Sequence, residues 1–280
     1  MITHLTIVDS NDYLNPFGET LVSAVAKPIS GMPSQWRTSW CNLTPNAVSY
    51  PSGDVKFWFV AGQSNAANVG TMNGAYYFHR SYYRNVYHYY DGELFDGVSP
   101  FRGATGPDGW NSFQKVAFDY CDKHPTTSVV LAFFSVGEQS IDKFAPGGVL
   151  HSIMISELSA FTSFCQSQTG RPKIDNFLWQ QGEADAFLET SAPAYLNAFN
   201  SMAGVLDTYT NNINVARSTY YGSPAGWDYN NSTGVALDIL RSSYPGPDTD
   251  TLTGTTNRPD GTHFGNQGSI NMSILWNEYL

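Results

Sequence analysis

Four short blocks hold the residues that could do chemistry. "GQSN" (62–65) follows an apolar run and sets Ser64 between two amide side chains; a serine becomes a nucleophile only when a base takes its proton. "RPDGTHFGNQG" (258–268) places Asp260 three residues before His263 on a glycine-bracketed loop. That spacing lets the carboxylate accept from one ring nitrogen while the other faces a serine. "FFSVGEQSIDKF" (133–144) puts Gly137 at a strand end, where its backbone N–H could face a crevice. "LWQQGEADA" (178–186) crowds Gln180, Gln181, Glu183 and Asp185 behind Phe177, Leu178 and Trp179, and polar groups that close to a core need partners. A serine, an oxyanion donor set and an Asp/His pair, in the chain order Ser, Asp, His, fit one acyl-transfer site.

Each block also has a plainer reading. Ser64 could be a helix N-cap, and Gly137 a turn glycine. Glu183 could brace its own loop or help to position His263. Gly62-Gln63-Ser64-Asn65-Ala66 lacks the second glycine of G-x-S-x-G, which argues against the α/β-hydrolase elbow. His4, His79, His88, His124 and His151 are scattered without ligand spacing, so neither a metal nor another cofactor is expected.

Such residues need a scaffold, and the hydrophobic pattern supplies one. From Val55 onward, apolar strands alternate with longer amphipathic segments, the signature of a parallel sheet with crossover helices. Strands are predicted at "VKFWFVAG", "NVYHYYDG", "TSVVLAFFSVG", "IDNFLWQQG" and, more weakly, "NINVARS". Helices are predicted at "NSFQKVAFDYCDKH", "SIMISELSAFTSFCQSQ" and "PAYLNAFNSMAGVLDTY", and a terminal one in "GNQGSINMSILWNEYL" packs Ile270, Ile274, Leu275 and Trp276 on the sheet. In an open α/β sheet ligands bind beyond the carboxyl ends of the strands, where these polar blocks lie. Residues 1–50, punctuated by Pro16, Pro28, Pro33 and Pro45, read as an extended or β-rich N-terminal extension to a domain at 51–280.

Composition narrows the function classes. A net charge of -10 with no Lys/Arg run excludes a phosphate-neutralising surface, so no nucleic acid is expected. No stretch approaches the ~18 apolar residues of a membrane span, so no membrane insertion is expected, and the first residues show no Sec-type leader. Cys41, Cys121 and Cys165 are odd in number and widely spaced and read as free thiols. Charged residues are only 14% of the chain, a balance familiar from extracellular and virion-surface proteins.

The blocks "GQSN", "VGEQSI", "WQQGEAD" and "DGTHF" resemble the SGNH hydrolases, specifically the carbohydrate and sialate O-acetylesterase branch, over about residues 55 to 280. The resemblance implies an α/β fold, a three-layer α/β/α sandwich with a mainly parallel central sheet (SGNH/flavodoxin-like). It implies Ser64 as nucleophile, His263 as general base and then acid, and Asp260 as the residue that orients His263. It also implies an oxyanion hole from the Ser64 N–H, the Gly137 N–H and the Gln181 side-chain amide. The family's paired glycines read Gly137-Glu138 here, which raises the question of whether Glu138 narrows the site. Gln63 and Asn65 are expected to brace the turn. The expected partner is an acetylated glycan; seven tyrosines within residues 76 to 90 either stack on sugar rings or fill the core. Assembly into a virion tail or a homo-oligomer is a further expectation. An SGNH lipase or thioesterase and an inactive glycan-binding adhesin are the alternatives.

Overall fold

The computed structural model describes residues 47–70, 85–97, 99, 101–106, 111–222 and 227–280. Its centre is β1 (Asp54–Gly62), buried on both faces from Phe57 onward, as a strand covered by helices on two sides must be. Alternation along β1 divides the core. Phe57, Phe59 and Ala61 pack with α3 (His151–Thr169) and α5 (Ala192–Leu206). Trp58 and Val60 pack with α1 (Ser112–Lys123) and α8 (Asn266–Trp276). This is the three-layer α/β/α sandwich expected.

The other strands are β2 (Val86–Tyr90), β3 (Glu93–Asp96), β4 (Thr127–Ser135), β5 (Ile174–Gln180) and β6 (Thr210–Val215), in the order β3-β2-β4-β1-β5-β6. All neighbours are parallel except β2 and β3. The chain builds out on the β4 side of β1 and then on the β5 side. The carboxyl ends of β4, β1 and β5 therefore lie side by side at a topological switch point, where such sheets bind ligands.

Several elements differ from the sequence reading. "NVYHYYDG" is the first arm of a hairpin: Asp91 (φ 50°) and Gly92 (φ 84°) turn the chain back into β3, the positive-φ pair a tight hairpin needs. Helix α6 (Ser232–Arg241), unpredicted, starts where the Asn231 side chain accepts from Gly234 N at 2.8 Å. Three one-turn helices, α2 (Ile141–Phe144), α4 (Glu183–Phe187) and α7 (Gly254–Asn257), were likewise too short to show a period. Helix α8 forms, with Trp276 buried and Leu275 packed partly against the core as expected, while smaller residues make up much of its inner face. Gly268, Ser269, Met272, Ser273 and Trp276 are buried, whereas Ile274 is 55% exposed. Small residues let α8 approach α1 closely enough for Ser112 Oγ to meet Ser269 Oγ at 2.8 Å and for Ser273 Oγ to donate to Asp119 at 2.6 Å.

Of the tyrosine-rich stretch, Tyr89 and Tyr90 are core residues, Tyr89 lying against Phe161 and Phe164; Tyr76, Tyr77, Tyr82 and Tyr83 fall outside the described residues. Cys121 and Cys165 are free and buried. Cys41, His4, His79 and most of the N-terminal extension also lie outside them. The end of that extension meets the sheet edge, where Val48 N donates to Leu94 O at 2.9 Å. No described helix is long and apolar enough to cross a membrane, and no cluster of metal-ligating side chains occurs among the described residues.

Candidate active site

Strand β1 ends at Gly62, whose φ of 143° and close approach to β5 exclude a side chain: a Cβ there would lie 2.0 Å from Gln180 O. Ser64–Ala66 then form a single 3-10 turn, closed by Ala66 N to Gln63 O and Ala67 N to Ser64 O, both at 2.9 Å. Ser64 is the first residue of this turn, not its side-chain cap, and among the described residues its N–H has no hydrogen-bond partner. It is only 6% exposed.

The polar side chains around Ser64 each hold a different loop. Gln63 Oε1 accepts from Ala184 N at 3.0 Å, Gly182 N at 3.4 Å and Gln181 Nε2 at 3.2 Å, tying down the loop after β5. Asn65 Nδ2 donates to Glu183 Oε1 at 2.7 Å and Thr262 O at 3.3 Å, and Asn65 Oδ1 accepts from Phe264 N at 3.3 Å. Asn65 thus grips the backbone on both sides of His263. Asn68 holds segment 101–105: its side chain bonds Phe101 O at 2.8 Å, Ala104 O at 3.1 Å and Phe101 N at 3.0 Å, and its N–H bonds Thr105 O at 2.8 Å.

On the C-terminal loop, Asp260 Oδ2 lies 2.7 Å from His263 Nδ1, while Oδ1 accepts from Thr262 N at 2.8 Å and His263 N at 2.7 Å. Burial pushes this carboxyl upward, but the two backbone N–H groups and the His263 ring outweigh it and hold Asp260 below the usual carboxylate range. With Nδ1 engaged, Nε2 is the nitrogen left for other work. Among the described residues neither His263 Nε2 nor Ser64 Oγ has a hydrogen-bond partner; the contact between them is open in this structure. Such contacts commonly tighten only when substrate binds.

Two buried ionisable side chains, Arg258 and Glu183, support the contacts of this loop. Arg258 donates to Thr262 O, to Leu252 O at 2.8 Å and to Thr249 O at 3.1 Å, and stacks on Phe264 and Tyr220. Glu183 Oε1 accepts from Asn65 and from Ser218 Oγ, both at 2.7 Å, whereas its Oε2 has no partner among the described residues. Desolvation raises the Glu183 pKa, opposed chiefly by the hydrogen bonds from Asn65 and Ser218, and lowers that of Arg258, opposed chiefly by the charges of Glu183 and Asp250. Glu183 makes no hydrogen bond to His263 among the described residues and is linked to its loop through Asn65.

The loop after β4 departs from expectation. Gly137 is beside Ser64: the Cβ it lacks would be 4.0 Å from Ser64 Cβ. Its N–H, however, donates to Thr105 Oγ1 at 2.9 Å. Glu138 is exposed and takes a φ of 62°, in the left-handed region that favours glycine. Gln181 needs a larger correction. Its side chain is fully buried, and Nε2 lies 2.6 Å from Asp185 Oδ2, 3.0 Å from Gln139 O and 3.2 Å from Gln63 Oε1. Two hydrogens already face three acceptors, and Tyr195 OH occupies Oε1 at 2.7 Å, so the amide locks the loop together and does not project into a crevice. Asp185, also bonded to Ile141 N at 2.8 Å, joins that loop to α2.

The sequence reading missed Asn68, Thr105, Ser218 and Arg258. Asn68 could have been noticed as a polar residue four after Ser64 in an Ala-rich turn, and Arg258 as a cation two before Asp260. Thr105 and Ser218 carried no signal, because their place depends on β4 and β6 lying beside β1 and β5.

The model of one protein family, described as carbohydrate esterase, sialic acid-specific acetylesterase, matches residues 54–273. No curated protein has a significantly similar sequence. Among solved structures, a protein from Arabidopsis thaliana is 13% identical with a TM-score of 0.58, over 81% of this chain and 97% of that one. NanS is 14% identical with a TM-score of 0.57, over 82% and 97%. At such identities the two structures speak for the fold.

Proposed function

Since this chain belongs to the carbohydrate esterase family of sialic acid-specific acetylesterases, we propose that it removes O-acetyl groups from a carbohydrate through an acyl-enzyme on Ser64. The observation that carries this is Asn65, which holds Thr262 O and Phe264 N and thereby ties the His263 loop to the turn that bears the serine.

In the proposed sequence, Ser64 Oγ attacks the acetyl carbonyl as His263 Nε2 takes its proton. Asp260, fixed by three hydrogen bonds, keeps the Nδ1 hydrogen on its own side and stabilises the imidazolium. The unpaired Ser64 N–H is one donor for the oxyanion. Collapse of the tetrahedral intermediate releases the sugar hydroxyl, which receives the proton from His263. Water, deprotonated by His263, then cleaves the acetyl-serine and returns the enzyme with acetate.

Acetate release from O-acetylated polysaccharides, an O-acetylated sialic acid and p-nitrophenyl acetate is the test, with butyrate and octanoate esters alongside. Ser64→Ala and His263→Ala are each expected to lose three or more orders of magnitude, with acetate preferred in the parent enzyme. An active Ser64→Ala variant removes the nucleophile, a preference for octanoate favours a lipase, and retention on glycans without hydrolysis favours an adhesin.

A further inference from the structure

The Gly137 N–H, which the family resemblance assigns to the oxyanion hole, is not open to substrate here, because a hydroxyl already sits on it. Thr105 Oγ1 accepts from Gly137 N at 2.9 Å, and among the described residues the hydrogen of that hydroxyl has no acceptor. The same hydroxyl is within 3.5 Å of where a Gly137 Cβ would be, and that point is 4.0 Å from Ser64 Cβ. Thr105 Oγ1, the bare face of Gly137 and the serine converge on one small space, and Thr105 is half-exposed there.

The hydroxyl is placed by rigid backbone. Gly103 (φ 88°) and Gly106 (φ 96°) flank it, and a Cβ on either would strike Phe133 O at 2.1 Å or Asn68 O at 2.2 Å. Thr105 N donates to Ser135 O at 2.8 Å, and Thr105 O accepts from Asn68 N at 2.8 Å. The segment is stitched to β4 on one side and to the serine turn on the other. With Gln181 turned into its own loop, the site is also short of the donor that the resemblance implies.

We propose that the Thr105 hydroxyl is a catalytic oxyanion donor for the Ser64 reaction, polarised by the Gly137 N–H that it covers. Bonded as an acceptor to Gly137, it directs its own hydrogen to the oxygen of the acetyl carbonyl as negative charge develops there. A hydroxyl that accepts one bond donates more strongly in the other. No proton leaves Thr105 in this step; the bond shortens as the oxyanion forms and lengthens as it collapses. The inference rests on the serine esterase reading above.

Thr105→Val and Thr105→Ser, assayed with p-nitrophenyl acetate, test it. Loss of one oxyanion donor costs roughly 10²–10³ in kcat, so Thr105→Val should lose about 10² in kcat with KM little changed. Thr105→Ser should stay within a few-fold of the parent. The thermal midpoint of each variant separates this from misfolding, and a merely structural threonine would not produce a kcat-specific loss rescued by serine. Labelling of Ser64 by a fluorophosphonate, located by mass spectrometry, checks the underlying reading separately. A labelled, active parent with an equally active Thr105→Val overturns this inference alone, because the valine methyl that stands in place of Oγ1 still covers the Gly137 N–H and supplies no donor. A parent that neither hydrolyses acetyl esters nor is labelled at Ser64 overturns both.

Discussion

Replacing Asn65 by alanine tests whether the serine turn and the histidine loop form one unit. The side chain makes one short bond to the buried Glu183 carboxyl at 2.7 Å and two longer ones, to Thr262 O and from Phe264 N, at 3.3 Å. Hydrogen bonds to a charged group contribute about 1.5–3 kcal/mol and neutral ones about 0.5–1.5, with long bonds near the lower end. The sum is about 3 kcal/mol. Two features limit the loss: Arg258 still holds Thr262 O, and Glu183, whose pKa burial already raises, can take a proton when its partner goes. We expect Asn65→Ala to cost about 2–3 kcal/mol in urea unfolding. It should also lower kcat/KM for p-nitrophenyl acetate by about 10², the scale of a misplacement near 1 Å. Asn65→Asp sharpens the test by setting two carboxyls in contact. One is forced to hold a proton in the folded state, a raised folded pKa, so its stability should fall relative to the parent as pH rises from about 4 to 8. Parent-like unfolding and parent-like kcat/KM in Asn65→Ala would refute the clamp, whatever the state of Ser64.

Three further outcomes follow from the same structure. Asp260→Asn should lower kcat/KM by about two to four orders of magnitude, read with p-nitrophenyl acetate, because the imidazolium loses its partner. Since the folded Asp260 pKa is depressed, its contribution is present above the unfolded value near 4 and lost as pH falls through the lower folded value. His88, buried among Phe95, Phe101 and Phe133, has its pKa pushed down to about 3 by desolvation. The unfolded chain binds this proton near pH 6.5 and the native one does not, so the parent should lose on the order of 4 kcal/mol between pH 6.5 and 3. His88→Gln should flatten that part of the stability curve. Glu138→Gly, which relieves a left-handed conformation while adding freedom to the unfolded chain, should raise stability by about 0.5–1 kcal/mol in thermal unfolding.

Strands were legible because burial on both sheet faces leaves continuous apolar runs, as in Phe57 to Ala61. The long helices α1, α3 and α5 were legible from their period. What escaped was set by contacts distant in sequence. The inner face of α8 went to Gly268 and Ser269 instead of Ile270 and Ile274, because closeness to α1 mattered more than side-chain hydrophobicity. At the site, Ser64, Asp260 and His263 stood out as residue types, and Gln63 and Asn65 as amides next to the serine, each of which bonds a distant loop. Gln181 was misplaced because a motif names a residue but not the direction of its amide. Asp185 and Tyr195, 4 and 14 residues further on, decide that direction.

The alternation of roles around the turn explains why the polar run is needed. Gln63 precedes the 3-10 turn in non-helical backbone, and within the turn consecutive side chains project about 120° apart, so Gln63, Ser64 and Asn65 serve different neighbours. Gln63 reaches the loop after β5, Asn65 reaches the histidine loop, and Asn68, just beyond the turn, reaches the Thr105 segment. Each carries a side-chain bond to the backbone of a loop more than 30 residues away in sequence, so no loop can shift without straining the turn that bears the serine. The brace atoms Gln63 Oε1, both amide atoms of Asn65 and both of Asn68 are paired, whereas the Ser64 N–H, Ser64 Oγ and His263 Nε2 have no partner among the described residues. Hydrogen-bonding capacity left unspent at the centre of a frame tied together by hydrogen bonds is what a reacting carbonyl requires. A frame of this kind holds its donors in place before charge develops, so that little reorganisation is left for the moment of reaction.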